Sequence, residues 1–147
     1  MTTVITFGTF DVLHIGHLRI LERAKAHGDR LVVGVSSDAL NMSKKGRNPI
    51  FSETERTALI QALEVVDEVF IEESLELKAD YVRQYGADVL VMGDDWAGRF
   101  DWIKEYCEVV YLPAPRRSRP PRSSRRSRNC PLPEEGHFVG VYVLMLA

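Results

Sequence analysis

Apolar residues along this chain follow two rhythms. Short, nearly uninterrupted runs recur at Val4-Ile5-Thr6-Phe7, Leu31 to Val35, Val65 to Ile71, Val89 to Met92 and Cys107 to Leu112. Runs of this length, rich in β-branched residues and bounded by polar or glycine residues, predict buried strands. Between them, Leu18 to Ala26, the segment holding Arg56, Leu59, Ile60 and Leu63, and Leu75 to Tyr85 place apolar residues at helical spacing. The stop signals agree. His27-Gly28-Asp29 and Gly86 follow the first and last helical segments, as C-caps do. Ser52, with Glu55 three residues on, predicts a capping box at the start of the middle one. Asn41 to Pro49 is polar and predicts a solvated loop.

Strands alternating with helices, without an internal repeat, predict an α/β fold. The expected form is a Rossmann-like parallel five-stranded sheet with right-handed crossovers and helices on both faces. Its ligand crevice should open at the C-terminal ends of the strands that finish at Gly8, Ser36 and Gly93. At 147 residues, one domain is expected. Two cysteines, Cys107 and Cys130, make neither a metal-ligand spacing nor a disulfide framework. No basic segment followed by an apolar run opens the chain, and Phe138 to Ala147 is too short to span a bilayer. A cytoplasmic location with no membrane partner is the expectation.

Charge divides the chain. Up to Leu112 there are 12 Lys and Arg against 19 Asp and Glu; from Pro113 onward there are seven Arg against two Glu. The predicted organisation is therefore a domain over residues 1–113 and an Arg/Pro/Ser-rich, disordered tail over 114–147.

The chemistry concentrates in Gly8-Thr9-Phe10-Asp11-Val12-Leu13-His14-Ile15-Gly16-His17, between the first strand and the first helix. Unpaired backbone N–H groups and the helix dipole make such an entrance hospitable to anions. His14 and His17, three apart, share a face once the helix begins and can bond the same group. Gly16 between them leaves a flat ligand free to approach the backbone. This suits a phosphate chain held and polarised during phosphoryl or nucleotidyl transfer. Further along, Asp94 and Asp95 follow the fourth strand, where carboxylates can meet ribose hydroxyls or a metal-bound phosphate.

Gly8 to His17 resembles the signature of the cytidylyltransferases within the His-x-Gly-His nucleotidyltransferase superfamily. Met92-Gly93-Asp94-Asp95-Trp96, followed by Gly98-Arg99-Phe100-Asp101, narrows the resemblance to the glycerol-3-phosphate cytidylyltransferase family. The likeness runs from Val4 to Pro113. It implies transfer of CMP from CTP to sn-glycerol 3-phosphate, with Mg²⁺ accompanying the CTP, in a homodimer. It also implies roles: His14, His17 and Lys44 as catalytic residues; Gly8, Thr9, Phe10, Gly16 and Asp94 toward the nucleotide; Asp11, Asp38 and Arg56 toward the acceptor. No protein-held metal is implied. A related enzyme using another phospho-alcohol or ATP is the alternative, as is an inactive nucleotide-binding protein with a basic nucleic-acid-binding tail.

The resemblance breaks after Pro113. The family continues Arg-Thr-x-x-Ile-Ser-Thr-Thr into a last helix, which brings an arginine, hydroxyls and a helix entrance to the triphosphate. Here Ala114 to Pro121 can be written in codons which, read one base over, encode Thr-Pro-Glu-Ile-Ser-Thr-Thr at the matching place. A frameshifted tail, and with it impaired activity, is the expectation. The rival reading takes seven arginines within Arg116 to Arg128 as a nucleic-acid-binding arm. That stretch holds no aromatic residue for base stacking, so nucleic acid is not the expected partner.

Overall fold

The computed structural model describes residues 1–113. The expectations for the tail, namely its disorder, its frameshift, its basic arm and the Phe138 to Ala147 run, lie outside the described residues. Five strands, β1 (Thr3–Gly8), β2 (Arg30–Ser36), β3 (Glu68–Glu72), β4 (Val89–Gly93) and β5 (Glu108–Leu112), form one sheet in the order β3-β2-β1-β4-β5. Every pairing is parallel. The connections are α1 (Ile15–Lys25), α2 (Asp38–Lys45) with α3 (Glu53–Gln61), and α4 (Lys78–Gln84). Two short 3₁₀ turns, Asp94–Trp96 and Asp101–Glu105, join β4 to β5.

Alternation along β1 builds two cores. Val4 packs with Leu21 and Ala24 of α1 and Ile60 of α3, while Ile5 and Phe7 pack with Val82 of α4, Phe100 and Ile103. Helices therefore cover both faces, as parallel sheets require. Strand order runs outward from β1 to β3 and then returns to β4 on the other side. This reversal puts the topological switch point at the ends of β1 and β4.

Three boundaries differ from the sequence reading. Asp38 to Lys45 is a helix rather than part of a loop. Ser37 caps it by accepting from the Leu40 N–H at 3.0 Å, and Gly46 ends it in the left-handed region at φ 67°. With few apolar residues it has no helical stripe to read, yet both caps were present in the sequence. β3 begins at Glu68, because Val66 is still in the turn closed by its bond to Leu63 O. α4 begins only at Lys78. The capping box at Ser52 and Glu55 is present as expected.

Candidate active site

A cavity of about 690 Å³ opens at the C-terminal ends of the strands. Its walls come from Phe7 to Asp11 and His17, from Ser36, Asn41, Lys44 and Lys45, from Arg47 to Ile50, and from Glu72, Leu75 and Lys78. Met92, Asp95, Trp96, Arg99 and Phe100 close it from β4 onward. Five cations, Lys44, Lys45, Arg47, Lys78 and Arg99, face three carboxylates, Asp11, Glu72 and Asp95. Two of those carboxylates are engaged within the protein: Asp11 by backbone N–H groups and Glu72 by Lys78 and Ser36. The remaining field is positive and suits a polyphosphate.

The strand-to-helix turn sets the histidines. Phe10 and Val12 take positive φ, 51° and 47°, so the chain doubles back tightly. The Phe10 ring then lies over Gly8, where a Cβ would come within 2.8 Å of its Cζ. Phe10 in turn meets the His17 ring edge-on at 5.6 Å between centroids. His14 is the N-cap of α1, and its Nδ1 accepts from the Gly16 N–H at 3.0 Å. The His17 Nδ1 accepts from the His14 N–H at 3.4 Å, completing a capping box made of two histidines. An Nδ1 that accepts leaves the proton of a neutral imidazole on Nε2. Both rings thus keep an Nε2–H donor, and they stack at 3.9 Å; His17 lines the cavity, whereas His14 is exposed and is not among its lining residues. Burial holds His17 below its ordinary pKa, reinforced by His14 and opposed by Asp11, which favours this neutral form.

Gly16 acts differently from the expectation. A Cβ there would sit 2.7 Å from His14 Cε1, so the glycine makes room for the histidine ring rather than for a flat ligand. Gly8, likewise, makes room for Phe10, although it also lines the cavity. Thr9 lines the cavity, and its hydroxyl donates to Asn41 Oδ1 at 2.7 Å. Asn41, buried, donates to Ser36 O and Ser37 O, tying this turn to α2.

Lys44 projects from α2 into the cavity and donates to Ser36 Oγ at 3.3 Å. Burial lowers its pKa, with Glu72 opposing and Lys45 and Arg56 adding to the fall. Asp11 reaches the cavity, but its oxygens accept from Ile50 N and Phe51 N at 2.8 and 3.0 Å. Burial works to raise its pKa; the hydrogen bonds from Phe51, Ile50 and Val12 outweigh it and hold the carboxyl low. Asp11 therefore fastens the segment after α2, which carries Arg47 and Asn48 over the site.

Arg56 and Asp38 do not join the cavity. Arg56 is fully buried, donating to Phe51 O, Thr9 O and Ser36 O at 2.7–2.9 Å and to Asp38 Oδ1 at 2.6 Å. Its donors are spent on the frame, and Asp38 is spent on it and on the Glu53 N–H. Asp94 is exposed beside the cavity, whereas its neighbour Asp95 lines it. Sequence reading missed Asn41, Glu72, Lys78 and Arg99 as members of this site. Arg99 carried a signal, as part of the Gly98-Arg99-Phe100-Asp101 motif, while nothing local marked Asn41, Glu72 or Lys78.

The fold and this site together define an α/β protein with a cation-rich cavity, lined by His17, at the switch point of its parallel sheet. The model of the cytidylyltransferase-like family matches residues 5–127, and the chain belongs to that family. The chain is similar to the glycerol-3-phosphate cytidylyltransferase of Bacillus subtilis (strain 168). They are 48% identical over 113 residues, covering 77% of this chain and 87% of that one. The Staphylococcus aureus enzyme of the same name is 41% identical over 76% of this chain and 84% of its own. Among solved structures, the lipopolysaccharide core biosynthesis protein of Thermoplasma volcanium GSS1 superimposes with a TM-score of 0.68. It is 32% identical, over 76% of this chain and 96% of that one. Among the described residues, no helix is long and apolar enough to cross a membrane.

Proposed function

We propose that this chain transfers CMP from CTP to sn-glycerol 3-phosphate, giving CDP-glycerol and pyrophosphate. The observation that carries the reading is the stacked His14 and His17 pair, each with Nδ1 bound to backbone and Nε2–H free. An oxygen of the acceptor's phosphate attacks the α-phosphorus in line. The bond from that phosphorus to the bridging oxygen breaks, and pyrophosphate leaves with the electron pair. No enzyme nucleophile is needed, so catalysis consists of positioning and charge stabilisation. The two Nε2–H groups donate to phosphate oxygens whose charge grows in the transition state. Lys44 holds phosphate charge, Thr9 and Phe10 flank the nucleotide, and Asp95 takes the position expected for Asp94.

Mg²⁺ would arrive on the triphosphate and neutralise part of its charge. Among the described residues, no three His, Cys, Asp or Glu are grouped to hold an ion. A homodimer is part of the proposal, and sedimentation of the full chain tests it. The function is tested by pyrophosphate release with CTP and glycerol 3-phosphate, set against ATP and against other phospho-alcohols. Equal rates with every nucleotide or acceptor would overturn the assignment.

A further inference from the structure

One buried carboxylate organises part of the cavity wall. Glu72 ends β3 and is 1% exposed. Its Oε1 pairs with Lys78 Nζ, from a side chain also 1% exposed, and its Oε2 accepts from Ser36 Oγ at 2.8 Å. Ser36 Oγ in turn accepts from Lys44 Nζ at 3.3 Å. A single carboxylate thus reaches one lysine from α4 directly and one from α2 through a hydroxyl. Both lysines line the cavity. The Lys78 ammonium also lies 3.6 Å from the Phe7 ring centroid and 4.9 Å from that of Phe100, which limits where it can sit. As a stability device the pair would be a poor choice, since a buried ion pair is often matched or bettered by apolar residues of the same volume. Its place on the cavity wall points to the ligand instead.

We propose that Glu72 is the positioning residue of the phosphate site, holding Lys78 directly and Lys44 through Ser36 so that both stay charged and in place before substrate arrives. This rests on the reading of the cavity as a site for phosphate-bearing substrates. The charges around the three groups make Glu72 decisive. The Lys78 pKa lies lowered, at about 8: burial and, less strongly, Lys44 push it down, while Glu72 opposes both. Burial lowers Lys44 as well, with Lys45 from its own helix and Arg56 from α3 pushing the same way and Glu72 again opposing. Without that carboxylate, the charges acting most strongly on Lys78 and Lys44 would be cations.

The test uses the full chain, labelled with ¹³C at the lysine side chains, and the near-isosteric Glu72→Gln variant. In the folded variant, Lys78 and Lys44 should titrate about one pH unit lower or more, since each unit reflects a changed balance of charge. Calorimetry should show glycerol 3-phosphate binding about tenfold weaker at about pH 8, with recovery at about pH 6 as the lysines regain their protons. Ser36→Ala should move Lys44 and leave Lys78 in place. Unmoved lysine titrations in folded Glu72→Gln would overturn the proposal. Should that variant fail to fold, Ser36→Ala decides: a Lys44 titration that stays put overturns it. Shifted titrations in a chain that binds no glycerol 3-phosphate would overturn the substrate reading while keeping the counter-ion role.

Discussion

Arg56 and Asp38 form an ion pair, Nη2 to Oδ1 at 2.6 Å, in which the arginine is wholly buried and the aspartate 35% exposed. The same guanidinium holds carbonyls of Thr9, Ser36 and Phe51. It therefore fixes the end of β2, the turn after β1 and the entrance of α3 relative to one another. Replacing it by methionine leaves three carbonyls and a carboxylate short of a donor. The expected loss is about 3–5 kcal/mol, the scale of breaking a buried charged pair, read as a lower urea midpoint. An unchanged midpoint together with a raised KM for glycerol 3-phosphate would return Arg56 to the acceptor site.

His14 and His17 are expected to act on rate rather than on folding, because both stand at a helix entrance where water can replace them. Either alanine variant should lower kcat by roughly two orders of magnitude or more, the scale of losing a charge-stabilising donor. Gly16→Ala offers a finer probe. Its Cβ would intrude within 2.7 Å of His14 Cε1, so activity should fall although both histidines remain. Full activity in Gly16→Ala would show that the ring's position does not matter.

Much of this architecture could be read from the residues in order. Apolar runs marked five strands, and the turn at Gly8 to His17 announced both histidines. What escaped were roles decided by partners far along the chain. Arg56 follows a capping box and looks like any helical arginine; its burial depends on carbonyls at residues 9, 36 and 51 converging on it. Glu72 and Lys78 lie six apart, and nothing local says that Ser36 links them to Lys44. Helix α2 was hidden because its sequence, DALNMSKK, has few apolar residues and no sustained stripe.

The two aspartates after β4 separate cleanly. Asp95 lines the cavity and Asp94 does not. Calorimetry should show CTP binding weakened by Asp95→Ala and nearly unaffected by Asp94→Ala. The opposite ranking would restore the sequence-based choice of Asp94.

Among the described residues, the five strands and their crossovers precede Pro113, whose carbonyl accepts from Arg23 Nη1 at 2.7 Å. The family's next segment, by resemblance, adds an arginine and several hydroxyls to the triphosphate. Hydrogen bonds to charged groups contribute about 1.5–3 kcal/mol each, so two of them are worth roughly two to four powers of ten. A chain carrying Arg-Thr-Pro-Glu-Ile-Ser-Thr-Thr-Lys-Ile-Lys after Pro113 should release pyrophosphate faster than the 147-residue chain by that order. Equal rates would show that the segment as it stands serves the same purpose.

Lys78 makes a prediction about stability with a definite sign. Burial, against the pull of Glu72, brings its pKa from the ordinary 10.5 down to about 8. Between those values the unfolded chain holds a proton that the folded chain has released. Where the unfolded state binds more protons, stability rises with pH, so this group strengthens the fold from about pH 8 to 10.5. Cys107, Tyr85 and Tyr111 oppose it in the alkaline range. Burial raises the pKa of each, so the folded chain keeps protons that the unfolded chain has lost. The net curve mixes these effects, and a difference between two proteins isolates one of them. Lys78→Met combined with Glu72→Gln removes the pair without leaving a lone buried charge. Urea unfolding across this range should show the wild type gaining stability on the variant as pH rises, because only the wild type sheds the cost of a buried ammonium. Parallel curves would mean that Lys78 titrates as an ordinary lysine, and that the Glu72 carboxylate offsets its burial in full.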